Sequence, residues 1–337
     1  MHLFERSTVW ACVAAVAMSA VAAAKTPLGH VEKRGSGPTP MVLVAGVACD
    51  WTVWDAFMDR NGDAFTMYAV TLPGMAGTKA PPKPEAEGGT PWFDASIEAL
   101  SDFITAENLK SPIVVGHSLG GHLALRLALD HPEQVGRVVM IDSMPSFPVG
   151  GGTIVGEQRT AIIDGILTPN LRQQDPAQWK DSFAREGLTM VSAADRSEQI
   201  RDMLLTTDGE VTIQYFIEGL RSDQASRLGD LKVPTLAIAA MNERLPAGMS
   251  EEQARVYWTG IDDRSDKLDV VIFENTRHFA MDDRSAATDA AVRAFAKGEK
   301  AQGVGADAGP PDGVALPPKA GSRPADKAPP TDESGSH

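Results

Sequence analysis

Six short apolar runs punctuate the chain: MVLVAG (41–46), FTMYAVTLPG (65–74), SPIVVG (111–116), GRVVMID (136–142), VPTLAIAA (233–240) and KLDVVIFE (267–274). Each is continuous rather than alternating, the pattern of parallel strands covered on both faces. Amphipathic stretches lie between them. WFDASIEALSDFITAEN (92–108) sets Phe93, Ile97, Leu100, Phe103 and Ile104 on one helical stripe, and LALRLALDHP (123–132) follows the third run directly. Repeated strand-then-helix order predicts a mostly parallel central sheet with helices on both faces.

One interval breaks that rhythm. Between Asp142 and Val233 there is no strand-like run, but four helical pieces occur: EQRTAIIDGIL, PAQWKDSFAREG, RSEQIRDMLL and EVTIQYFIEGL. A structureless loop of that length is improbable in a compact domain. The expectation is a helical cap over residues 147–231, inserted between a first core segment (25–146) and a second (232–297).

The two ends read differently. TVWACVAAVAMSAVAAA (8–24) is uncharged and alanine-rich, with small residues at Ala22 and Ala24 (or Ala20 and Ala22) for cleavage. Residues 1–24 are expected to be a signal peptide exporting the chain to a periplasm or beyond, an uncleaved anchor being the alternative. Export removes Cys12 and leaves Cys49 alone, so no internal disulfide is possible in the mature chain. Cys49 is read as a small hydrophobe, not a nucleophile. Residues 298–337, rich in Pro, Gly, Ala and charge, are expected to be a disordered tail. A net charge of -14 argues against nucleic acid and against an anionic membrane surface. No stable membrane insertion is expected once the signal is gone.

Chemistry enters at VVGHSLGGH (114–122). Gly116-His117-Ser118-Leu119-Gly120 joins a strand to a helix, the context in which a tight turn lifts a serine above the sheet. The Leu119 amide, opening the helix, can then face a developing oxyanion. A serine needs a base. Of seven histidines only His278, in FENTRHFAMDD, follows a late strand and precedes a final helix, whereas His30 is expected to precede the sheet. An acid should orient that imidazole, and Glu243, just beyond the fifth run, is preferred. Asp142, at the end of GRVVMID, is the competing candidate.

With these residues in order, the chain resembles the α/β-hydrolase fold over about residues 28–297. The resemblance rests on RGSGPTPMVLVAG, TLPGMAGT, VVGHSLGGHLALRLALDHPEQVGRVVMIDS, PTLAIAAMNERLP and RHFAMDD. It departs from that family at Ala45-Gly46, where His-Gly is usual, so Val47 is taken as the second oxyanion amide. Thr71 replaces a frequent aspartate, with little catalytic consequence expected. The resemblance implies acyl transfer to Ser118 on a small or medium ester-like substrate, with no cofactor and no metal. Trp51, Trp54, Met144 and Met241 are candidates for an apolar acyl pocket. A lactonase, a carbon–carbon bond hydrolase, a haloperoxidase or an acyltransferase would use nearly the same residues, and a ligand-binding sensor is the reading from another class.

Overall fold

A computed structural model describes residues 27–86, 89–149, 154, 156–241, 251–259, 265–305 and 307–314. The proposed signal, Cys12 and Glu243 lie outside these residues. The six apolar runs form strands β2 (Thr39–Val44), β3 (Phe65–Thr71), β4 (Ile113–His117), β5 (Arg137–Ile141), β6 (Thr235–Met241) and β7 (Leu268–Glu274). A seventh strand, β1 (His30–Arg34), comes first in the chain. The sheet order is β1-β3-β2-β4-β5-β6-β7, with all neighbours parallel except β1 against β3. His30 therefore opens an edge strand rather than preceding the sheet.

Alternate residues of one strand serve opposite layers. Val42 and Val44 join the core under helices α2 (Trp92–Ala106) and α3 (Leu119–Asp130). Met41, Leu43 and Ala45 join the core under α1 (Asp55–Asn61) and α11 (Ser285–Ala296). Two-sided burial is the reason the strands read as unbroken apolar runs.

Between β5 and β6 the chain forms a cap: α4 (Gly156–Ile162), a π-helical turn (Ile163–Leu167), α5 (Thr168–Arg172), α6 (Pro176–Gly187), α7 (Ala194–Leu204) and α8 (Gly209–Arg221). After β6 come α9 (Glu251–Thr259) and, beyond β7, the short α10 (Ala280–Asp283). The cap is fastened by polar groups that would be costly to bury unpaired. Glu218 of α8 accepts the Phe93 N–H (2.7 Å) at the start of α2, where the helix dipole favours a carboxylate. Tyr215 donates to the Pro73 carbonyl at 2.9 Å. Arg159 of α4, fully buried, donates to the carbonyls of Phe147 and Leu220, both at 2.6 Å.

The described part of the tail is not a free coil. Val304 pairs with the outer edge of β7, donating to Ile272 O (2.8 Å) and accepting from Glu274 N (2.9 Å). Buried Arg284 donates to the carbonyls of Pro310 (3.0 Å) and Gly309 (2.9 Å), and Asp312 accepts from the backbone and hydroxyl of Ser285 at the start of α11. Low apolar content concealed this docking, because backbone and guanidinium hydrogen bonds hold it. A chain ending at Glu299 leaves Arg284 short of acceptors and α11 without its cap, at a cost of about 2–4 kcal/mol. Its melting temperature, followed by circular dichroism, should fall by about 5 °C or more. An unchanged melting curve would contradict the docked tail.

Candidate active site

Ser118 sits between β4 and α3 at φ 54°, ψ -123°, a conformation that non-glycine residues rarely adopt. The turn is forced by close backbone approach. A Cβ on Gly116 would lie 2.1 Å from Gly120 O, and one on Gly120 would lie 2.2 Å from Val44 O. Ser118 N donates to Ile141 O (3.0 Å), fixing the turn to the neighbouring strand. Ala48, Asp142 and Asn275 also have positive φ and follow β2, β5 and β7, whereas Asn108 and Ser111, likewise at positive φ, precede β4. Ser118 and Asp142 share the C-terminal rim of the sheet, where strained residues commonly serve chemistry.

Asp142 follows β5, one strand over from Ser118. Its backbone N–H donates to Ile238 O (2.8 Å), and its Oδ1 accepts from Ala240 N (3.2 Å). Its Oδ2 lies 2.5 Å from His278 Nδ1. The imidazole donates to this carboxylate from Nδ1, which leaves Nε2 as the basic nitrogen. Among the described residues the carboxylate on His278 is thus that of Asp142, the competing acid, while Glu243, the sequence-based preference, lies outside them. Both residues follow a strand and precede His278, so order along the chain does not separate them. The Asp142 contact depends on its approach to Ala240 across the β5–β6 pairing.

The loop carrying His278 is pinned at nearly every residue. Thr276 N donates to Met241 O (3.0 Å), Arg277 N to Asp283 Oδ2 (2.9 Å) and Phe279 N to Met190 O of the cap (3.1 Å). Buried Asp283 also accepts from Ser192 N (2.7 Å) and Ser192 Oγ (2.8 Å), and Arg196 pairs with Asp282 at 3.0 Å. His117 donates from Nε2 to the His278 carbonyl (3.0 Å), with its ring centroid 4.5 Å from that of His278. Burial, reinforced by the nearby His278, holds the His117 pKa well below its ordinary value. It thus stays neutral beside a histidine that must accept a proton.

His122 of α3 is a second buried imidazole, with Nδ1 donating to Met144 O (3.0 Å) and burial pushing its pKa down to about 4. In the unfolded chain it titrates near 6.5. Between those values the unfolded chain takes up a proton that the folded chain refuses. Stability therefore falls as pH drops from about 6.5 to about 4, by about 3 kcal/mol from this residue. Urea midpoints measured across that range should fall less steeply in His122→Asn than in the parent. Parallel slopes would refute the assignment.

Ser118 and His278 line one cavity of about 220 Å³. Val47 and Cys49 form its floor, on the turn closed by Cys49 N donating to Gly46 O (3.2 Å). The cap supplies Phe183, Glu186, Met190, Leu204 and Phe216, and Phe279 completes the wall. Burial, aided by nearby Asp50, pushes the Cys49 thiol pKa up, which keeps it a neutral wall atom. Leu119 is the first residue of α3, so its amide has no partner within the helix. Of the sequence-predicted oxyanion pair, Val47 lines the cavity with Ser118 and Leu119 follows Ser118 at the start of α3.

The sequence-predicted pocket is corrected. Trp54, Met144 and Met241 are core residues, and Trp51 packs at the β1 edge against His30 and under Arg34. None of the four lines the cavity. Large apolar side chains beside strand ends are needed to fill the layers, and the apolar wall of the cavity comes instead from the cap. Thr71 is buried and accepts from Trp51 N (3.0 Å), which is a structural role.

Comparison with known proteins agrees with this fold. A family model described as "Alpha/beta hydrolase family" matches residues 41–291. The chain belongs to the alpha/beta hydrolase family. Within that family it is 26% identical over 239 residues to a pimeloyl-[acyl-carrier protein] methyl ester esterase from Pectobacterium carotovorum, covering 66% of this chain and 84% of that one. A second such esterase, from Nitrosomonas europaea, is 31% identical over 121 residues, and the match spans 35% of this chain and only 42% of that esterase. A 2-hydroxy-6-oxononadienedioate/2-hydroxy-6-oxononatrienedioate hydrolase from Burkholderia vietnamiensis is 26% identical over 229 residues, 64% of this chain and 74% of that one. Among solved structures, an esterase from Exiguobacterium antarcticum superposes with a TM-score of 0.62 at 19% identity, covering 80% of this chain and 95% of that one. No described helix is long and apolar enough to cross a membrane.

Proposed function

We propose that this family member is an exported serine hydrolase that cleaves an ester bond in a small or medium substrate through an acyl-enzyme. The observation that carries the reading is the Asp142 carboxylate on His278 Nδ1, with His278 and Ser118 lining one cavity. His278 Nε2 takes the Ser118 proton as Oγ attacks the ester carbonyl, and the Leu119 and Val47 amides receive the negative charge on its oxygen. The tetrahedral adduct collapses, the alcohol leaves with the proton from Nε2, and Ser118 keeps the acyl group. Water, deprotonated by the same nitrogen, then releases the acid and restores the serine. Asp142 holds the tautomer throughout and stabilises the imidazolium.

Two of the relatives above are named as esterases, which supports ester cleavage. The Burkholderia relative makes carbon–carbon hydrolysis the second reading, because the same serine and histidine would serve it. The deciding experiment is steady-state hydrolysis of p-nitrophenyl esters of increasing acyl length by the chain from Lys25 onward. Many turnovers per active site support the esterase. Folded protein that releases no more than one equivalent of nitrophenol on every ester refutes it.

A further inference from the structure

The cavity holding Ser118 has an uneven charge distribution. Its walls are apolar: Phe183, Leu204 and Phe216 from the cap face Val47 and Phe279 from the core. The two cap phenylalanines meet edge to face at 5.3 Å, closing that side. Glu186, one turn after Phe183 on α6, is the only carboxylate among the described lining residues, and no arginine or lysine stands with it. Glu186 is solvent-exposed, its carboxylate has no ion-pair or hydrogen-bond partner among the described residues, and the neighbouring Arg185 donates instead to Ser182 Oγ at 2.9 Å. The cavity volume, about 220 Å³, lies below the roughly 300–1,000 Å³ usual for small-molecule sites.

These features act together on the acyl group. A compact apolar chain gains by leaving water for the phenylalanine wall. A chain ending in a carboxylate brings a second negative charge beside Glu186, with no lysine or arginine among the described lining residues to offset it. A chain ending in an ammonium meets the unpartnered carboxylate and is helped. We propose that Glu186 is a specificity-determining residue that selects short acyl groups lacking a carboxylate and discriminates against dicarboxylic half-esters. This rests on the ester-hydrolase reading of the same site.

The test holds the leaving group fixed and changes only the acyl terminus. Values of kcat/KM are compared for p-nitrophenyl butyrate, p-nitrophenyl hemiglutarate and the p-nitrophenyl ester of 4-trimethylammoniobutyrate, in the parent and in Glu186→Gln. The parent should favour butyrate over hemiglutarate by about five-fold or more, and Glu186→Gln should shrink that ratio by about five-fold, the size of one like-charge contact at about 4 Å in bulk water, as suits an exposed carboxylate. The cationic ester should lose its advantage in the variant. Added salt should narrow the butyrate-to-hemiglutarate ratio in the parent but not in Glu186→Gln. Equal use of hemiglutarate and butyrate by the parent, or a ratio unmoved by the substitution, overturns the proposal. A parallel assay measures covalent labelling by a neutral and a carboxylate-bearing p-nitrophenyl phosphonate, which needs an activated serine but no turnover. Charge-selective labelling without ester turnover would sink the esterase reading and leave the role of Glu186 standing. Labelling indifferent to charge overturns that role whatever the turnover.

Discussion

Asp142→Asn should lower kcat by about 10⁴-fold while the protein stays folded. The magnitude follows from which atom each group must be. Ala240 N–H already donates to Oδ1, so the amide oxygen of an asparagine is held at that position. Its NH₂ then faces His278 Nδ1 and donates to it, and the proton moves to Nε2. That tautomer cannot accept a proton from Ser118. The amide also leaves the imidazolium without its counter-charge. Substitution at the sequence-preferred acid is the control: Glu243→Gln should change kcat by only a few fold. If Glu243→Gln instead causes the large loss and Asp142→Asn does not, the acid has been misassigned.

Ser118→Ala should lower kcat by about 10⁶-fold, leaving only the residual rate that the oxyanion amides and substrate positioning sustain. Phosphonate labelling should vanish with it, as the attacking oxygen is gone. The double variant Ser118→Ala/Asp142→Asn should be no slower than Ser118→Ala alone, because the two residues serve one proton transfer. Multiplicative losses would mean that Asp142 acts on catalysis by some route other than His278. Alanine keeps the positive φ of position 118, so neither outcome is explained by relief of strain.

Much of this arrangement was legible in the amino-acid order because single physical demands set it. Two-sided burial wrote β2 and β4–β7 as unbroken apolar runs, and the close approach of Gly116 and Gly120 to backbone carbonyls left a visible signature around Ser118. His278 stood out by position, after the last strand. Other features depend on contacts distant in sequence. β1, HVEKR, carries charges because none of its residues is fully buried, so it reads as a loop. The contact of Asp142 with His278 rests on a hydrogen bond from the neighbouring strand, which no local pattern records. The apolar wall of the cavity comes from Phe183, Leu204 and Phe216 on three cap helices, whereas Trp54, Met144 and Met241, nearer the strand ends, fill the core. The docking of Arg284 onto the Gly309 and Pro310 carbonyls is a contact between one side chain and peptide groups, so composition is blind to it.

The pairing of Val304 with β7 bears on how copies of this protein coexist in a crowded compartment. An outermost parallel strand as apolar as LDVVIFE offers its free amides and carbonyls to any other extended chain, including another copy of itself. The protein occupies part of that edge with its own later residues and turns a templating surface into an intramolecular one. Loss of the segment would therefore change colloidal behaviour as well as melting temperature, and a shortened chain would be prone to strand-to-strand association.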